Sequence, residues 1–452
     1  MRALRTIPAA PRALPLLGHL VPLLRDPLAL LTSLPAHGDL VRLNLGPFPL
    51  IVICDPELTR QALVNDRVFD KGGPMFDRAR EVAGDGLGTC PHSAHRRLRR
   101  LAQPAFHPAR LPGYAQTMTA RIDEATASWH PGQILDVPTE MMGIACEVTA
   151  TTLFSGGLPP GQLGRLVEDV KTVFDGFYLR MFLFPPLDRL PTPANRAYNR
   201  ARTRLHDTCN KIISRRRADG SDHGDLLSAL LAARDPEDQG RGMSDAEISD
   251  TIVTIFLGGT DTTASVVAWA LHQLARHPDI EQRLHTEVDS VLVGGRAATH
   301  ADLPRLELTG RIIDETLRLH PPGWLFTRTV TTDTRLGEHL LPAGTTIAYS
   351  SYLLQHRPDL HHRPEAFDPD RWKPSSPQPS RHTHIPFGAG ARKCIGDTFA
   401  LTEAPLALAT IAARWRMEHA PGRREVRPAA GMILRPRNLR MRAHPRPATP
   451  TP

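Results

Sequence analysis

The stretch that most constrains the fold runs from Ser244 to His277 without a proline. It opens on "SDAE", where Ser244 and Glu247 have the spacing of a capping box, and Pro278 closes it. At about 33 residues it is about three times the length of an average helix. Its apolar residues fall on more than one face, so the helix has to cross the protein interior.

Helical patterns lie at roughly 92–104, 110–129, 138–154, 161–180, 194–218, 225–234 and 305–319, and a final helix follows Cys394. Two strand-like runs, "DLVRLNLG" and "PLIVICD", meet across Gly46 and Pro47 as a hairpin, and further strand-like runs lie at 325–331 and 345–351. The expected fold is mainly α with smaller β-sheets (α+β). A single domain is expected over 1–442, with a Pro-rich lead-in at 1–20 and a disordered tail at 443–452. The Gly-rich stretch from Asp66 to Cys90 looks too irregular for one regular element, and loops of that length are usually functional.

The formal charge is +8, but the basic residues come in short clusters such as "RRLRR" (Arg96 to Arg100), without zinc-finger spacing or an RNA-binding aromatic motif. That pattern argues against nucleic acid and fits a solvated surface or an acidic protein partner. The five cysteines are far apart and form no CxxC pair, as in a protein of the reducing cytoplasm. "ALPLLGHLVPLL" is broken by Pro15 and Pro22 and is too short to span a bilayer, so no transmembrane segment is expected.

The chemistry gathers at "FGAGARKCIG", Phe387 to Gly396. Gly388 and Gly390 let the backbone turn closely around a bulky group. Arg392 and Lys393 bring positive charge, and a helix opening at Ile395 would point its N-terminus near the Cys394 sulfur, favouring thiolate. Such a thiolate could be a nucleophile, a zinc ligand or an axial ligand to haem iron. A nucleophile wants a partner base and zinc wants further cysteines, whereas haem needs one thiolate.

Three motifs then agree. The loop resembles the haem-binding signature of the cytochrome P450 family, FxxGxRxCxG, at every defined position. "ETLR" (Glu315 to Arg318), ahead of "HPP", resembles the family's ExxR pair, and "FDPDRW" offers Arg371 as a third member. The resemblance implies a structural ion network of Glu315, Arg318 and Arg371. "GGTDTT" (Gly258 to Thr263) resembles the family's oxygen-binding motif. Its paired glycines clear space beside the helix; Thr262 offers a hydroxyl, and Asp261 a carboxylate that can relay protons.

The resemblance covers nearly the whole chain. It implies haem b with Cys394 as axial iron ligand, Phe387 and Gly388 against the cofactor, and its propionates on His95, Arg99, Arg328 and Arg392. Arg96, Arg97, Arg100 and Lys393 would lie on the proximal side, facing an acidic electron donor. The implied activity is monooxygenation with O2. Electrons would come from NAD(P)H through a separate ferredoxin and ferredoxin reductase. Two rivals are a peroxide-using or isomerising haem-thiolate enzyme and a non-catalytic haem sensor; intact Thr262 and Asp261 argue against the first.

"RALPLLGH", "FDKGGP", "RLPTPANR" and "LPAGTT" are most similar to actinobacterial sesquiterpene oxidases of the pentalenene oxygenase type, which points to terpene oxidation in secondary metabolism, antibiotic biosynthesis included. The segments expected to line the substrate pocket are the 70–90 loop, Phe174 to Phe184, Ile255 to Gly259 and Pro322 to Thr327. Within them Met75, Phe76, Phe177, Phe256, Gly258, Trp324 and Phe326 form an apolar wall suited to a hydrocarbon-like substrate.

Overall fold

A computed structural model describes residues 3–155, 161–182, 190–380, 382–422 and 425–447. The expected Phe174–Phe184 pocket segment is therefore described only as far as residue 182.

The central helix runs Asp245–Leu274, 30 residues long. Ser244 and Glu247 close the capping box, each side chain bonded to the other's backbone N–H. From Thr260 to Leu274 every residue but Thr262 is buried, which is why no single apolar stripe could be read there. By length and composition this helix could cross a membrane, but 72% of its apolar window is buried inside the protein. It packs most extensively on Val137–Phe154, and also on Asp397–Arg414, Pro193–Asp219 and Glu307–Leu319. Two apolar clusters flank it. One joins its C-terminal half to the helices Leu111–Ala127, Pro278–Val291 and Asp397–Arg414. The other joins its N-terminal half to Gln162–Phe182 and Pro193–Asp219.

The expected hairpin is present as Leu40–Leu45 and Phe48–Ile53, paired antiparallel. Its second strand runs parallel to Thr346–Tyr349, which pairs with Phe326–Val330 and, through it, with Phe69–Asp70. A parallel strand from so far along the chain ties the N-terminal segment to the residues that precede the cysteine loop. The architecture is mainly α with smaller sheets, as the patterns imply.

Three boundaries differ from expectation. Within the Gly-rich stretch, Pro74–Ala83 forms a ten-residue helix. Pro74 presets its first turn, and Gly73 and Gly84 take positive φ at its two ends, so the glycines delimit an element instead of dissolving one. The last helix begins at Asp397, not Ile395, with Gly396 at its N-cap. The chain also stays ordered past residue 443, because Arg440–Pro445 pairs with Trp415–His419 and buries Met441 and Ala443. Arg446 then forms an ion pair with Asp289 at 2.7 Å.

Candidate active site

The cysteine loop is held from behind by a buried ion network. Glu315 and Arg318 are both fully buried. Arg318 donates to both Glu315 oxygens at 2.8 and 2.9 Å, and to the carbonyls of Gln355, Pro364 and Ala366. Arg371 reaches Glu315 at 3.5 Å and donates to the His362 carbonyl. The Trp372 indole and the Asp368 backbone N–H also donate to Glu315. Trp372, the last letter of "FDPDRW", is a member that the sequence reading missed.

In the loop itself, the Cys394 N–H donates to the Phe387 carbonyl at 2.9 Å. Gly388 and Gly390 both adopt φ +69, and a Cβ on Gly390 would stand 2.2 Å from the Leu63 carbonyl oxygen. The Cys394 side chain is exposed to a cavity of about 410 Å³ beneath the central helix. Its surroundings differ from those expected. Arg392 is turned onto Asp66 and Asp70 at 3.1 and 2.8 Å, and Lys393 pairs with Asp397 at 2.5 Å, so both charges are answered elsewhere. Burial raises the thiol's pKa; the Gly396 N–H, Arg99 and Lys71 oppose it.

The cavity wall gathers basic side chains. His95, Arg99, Arg328 and Arg392 all reach it, together with Lys71, which the sequence reading passed over within "FDKGGP". Burial, with Arg328 and Arg392 nearby, brings the Lys71 ammonium down to about 7. His95 is pushed down to about 3 by burial and by Arg392 and Lys71. Arg328 is buried with no partner for its Nε among the described residues. Apolar walls, one accessible thiol, the unanswered charge of Lys71 and Arg328 and the donors of His95 and Arg99 fit a flat apolar group carrying two carboxylates. Haem answers to that description; Lys71, His95, Arg99 and Arg328 would hold the carboxylates, and Cys394 the iron.

Across the cavity, a Cβ added to Gly258 would meet nothing within 4 Å, so this glycine faces open space. Gly259 instead packs on Thr149, whose Oγ1 would lie 3.1 Å from such a Cβ. Both glycines line the cavity, Gly258 on its open space and Gly259 against the Thr149 side of the wall. Thr262 lines the cavity and donates its hydroxyl hydrogen to the Gly258 carbonyl at 2.6 Å, leaving its oxygen free to accept. Asp261 does not line it. Its carboxylate is buried against Arg435 at 2.9 Å, and Arg435 also reaches the more exposed Asp175 at 3.4 Å. Burial lifts Asp261 to about 6 against the pull of Arg435.

Glu403 is a second buried acid that the sequence reading missed; a lone carboxylate in the apolar "LTEAPLALAT" was its only signal. It interacts with cavity-lining Thr263, burial lifts it to about 8, and its Oε2 has no partner among the described residues.

Met75, Phe76, Phe177 and Phe326 line the cavity as expected. Phe256 and Trp324 do not: Phe256 lies in the apolar core, and Trp324 is buried with its indole on the Gly431 carbonyl. The proximal arginines also differ. Arg97 pairs with Glu247 and Arg100 with Asp235, fixing the helix His92–Ala102 to neighbouring segments, so that Arg96 remains the most exposed of the three.

A cavity closed on one side by a thiol loop and on the other by a glycine–threonine helix is the site of a haem-thiolate enzyme. The chain matches the cytochrome P450 family model over residues 8–442 and belongs to that family. It is 47% identical over 435 residues to pentalenene oxygenase of Streptomyces avermitilis, covering 96% of each chain. Cyclooctatin synthase of Streptomyces melanosporofaciens is 47% identical over 441 residues, covering 97% of this chain and 95% of its own. Cyclooctat-9-en-7-ol 5-monooxygenase of the same organism is 46% identical over 419 residues, covering 92% and 91%. The protein is a cytochrome P450 monooxygenase.

Proposed function

We propose that this monooxygenase oxidises a terpene in secondary metabolism, either a cyclic hydrocarbon or an alcohol derived from one. The observation that carries the reading is the wall facing Cys394 and Thr262, built from Met75, Phe76, Phe177, Phe326 and Leu257. Such a wall holds an apolar molecule by excluded water and shape. The terpene-acting relatives named above support the same substrate class.

Haem, when bound, supplies dioxygen activation and insertion of one oxygen atom, with the thiolate donating electron density that favours O–O cleavage. The remaining chemistry belongs to the chain. The Thr262 oxygen, its own hydrogen committed to Gly258, accepts a hydrogen bond and so holds a proton donor at the cavity wall. Asp261 lies behind it at about 6, close enough to neutrality to exchange protons, with Arg435 and Asp175 leading outward. Glu403 holds a second proton beside Thr263.

Electrons come from NAD(P)H through a separate ferredoxin and its reductase. A groove of about 1020 Å³ holds His92, Arg96, Arg99, Arg100, His107 and Arg110 against two acids, Asp66 and Glu237, and this basic balance suits the acidic face of such a donor. Five free cysteines fit the reducing cytoplasm.

The test is a titration of the haem-loaded protein with terpene hydrocarbons and alcohols, read by the Soret shift and followed by product analysis with a ferredoxin system. Saturable shifts and oxygenated products are expected. No shift with any terpene, alongside shifts with polar ligands, would refute the substrate class.

A further inference from the structure

Two hydroxyl groups in the cavity wall have been left without a partner. Thr149 and Thr152 line the cavity from the helix Val137–Phe154. They are 3% and 4% exposed, and neither Oγ1 has a hydrogen-bond partner among the described residues. An unpaired buried hydroxyl costs stability, so native folds rarely leave one. A helical threonine has a ready local remedy, the carbonyl four residues back. Thr254 and Thr262, which line the cavity from the central helix, both take it, donating to the Asp250 and Gly258 carbonyls at 2.8 and 2.6 Å. Thr149 and Thr152 do not.

Their spacing puts both side chains on one helix face, with Cβ atoms about 5–6 Å apart, so a single oxygen atom between them can bond to both. The position is fixed against the central helix: a Cβ on Gly259 would stand 3.1 Å from the Thr149 Oγ1, and the adjoining Gly258 faces open space. Apolar residues of one cluster supply further lining, among them Val82, Leu153, Phe174, Leu226 and Leu257. A pair of unmatched hydroxyls in a wall with such lining recognises one polar atom on an otherwise apolar molecule.

We propose that Thr149 and Thr152 bind a hydroxyl already present on the substrate, so that the preferred substrate is a terpene alcohol and not the parent hydrocarbon. The inference rests on the terpene reading above and narrows it. An alcohol oxygen donates to one threonine and accepts from the other, which answers both groups. The pair brings no charge, so it does not match a carboxylate, which needs a cation when buried. A hydrocarbon leaves both hydroxyls unpaired, and a site of this kind discriminates against the analogue that lacks the group. With the oxygen held beside Gly259, the carbon skeleton extends along the central helix toward Thr262, one turn further on. The reaction that supplies such a substrate is one that leaves oxygen on the skeleton, either an earlier hydroxylation or a cyclisation ended by water.

The test is Soret titration of the haem-loaded protein with pairs that share a skeleton: limonene and α-terpineol, cedrene and cedrol, patchoulene and patchoulol. The parent is compared with Thr149→Val combined with Thr152→Val, which keeps the shape and deletes the hydroxyls, and with Thr149→Ser combined with Thr152→Ser, which keeps the hydroxyls. In at least one pair the alcohol is expected to bind the parent more tightly than the hydrocarbon. The valine variant should lower that alcohol-to-hydrocarbon affinity ratio by about tenfold, and the serine variant should retain it. Free of substrate, the valine variant should melt no lower than the parent, since it loses two unpaired hydroxyls. Shifts with hydrocarbons alone, or a ratio that the valine variant leaves unchanged, overturn this inference and leave the terpene reading intact. An unchanged ratio with a lower melting temperature would assign the two hydroxyls to the fold. No shift with any member of any pair would refute the terpene reading, and this inference with it.

Discussion

Arg435→Leu tests how the chain controls its buried acid. The guanidinium stands 2.9 Å from the Asp261 carboxylate, which burial has already lifted to about 6. A hydrogen bond to a charged group is worth about 1.5–3 kcal/mol, which corresponds to about one to two pKa units. Without Arg435, Asp261 is therefore expected to titrate at about 7–8 and to be largely protonated at neutral pH, where the parent carboxyl is largely ionised. The assay is product formed per NAD(P)H consumed, measured across the neutral range. The variant's profile should move to higher pH by about one to two units, Arg435→Lys should restore most of the parent profile, and Asp261→Asn should abolish the dependence. An Arg435→Leu profile that overlays the parent, while Asp261→Asn alters it, would show that Arg435 does not set the acid's proton affinity.

Other outcomes follow from the same geometry. Glu315→Ala strands the fully buried Arg318 and should cost about 3–5 kcal/mol in urea unfolding; a loss below about 1 kcal/mol would mean that the network contributes little. Lys71→Met removes one of the cavity's basic side chains, so haem affinity should fall about tenfold or more while the haem-free protein keeps its stability, as read by haem transfer and thermal melting. Unchanged haem retention would remove Lys71 from the cofactor site. Glu403 is held protonated in the fold up to about 8, above its usual 4.5. Its contribution is therefore greatest at low pH and is lost as pH rises from the unfolded value toward the folded one. Glu403→Gln should gain stability relative to the parent by about 1.4 kcal/mol per pH unit across that window, and a difference that does not vary with pH would contradict the assignment.

What could be read from the sequence was whatever local spacing fixes. The capping box at Ser244, the Glu315–Arg318 pair and the glycine-bracketed Cys394 each lie within a few residues, so their geometry follows from the backbone. What could not be read depends on direction and distance. Phe256 and Trp324 looked like cavity wall because composition does not say how an element is rotated about its axis; both turn into the core. Arg392 looked like free charge beside the sulfur, but Asp66 and Asp70 arrive from a distant segment to take it. Asp261 was legible as an acid, whereas its partner Arg435 comes from a C-terminal strand that no local pattern connects to it. Lys71 went unread within "FDKGGP", because nothing local shows that the fold encloses it.

The proposed chemistry rests on one bond, between the Cys394 sulfur and haem iron. Its most direct test is the absorption spectrum of the dithionite-reduced, carbon monoxide-bound protein, recorded beside Cys394→Ala. A strongly red-shifted Soret band in the parent protein, absent from the variant, is the predicted result. A histidine-like band in the parent, or no haem at all, would contradict the assignment of Cys394 and the function built on it.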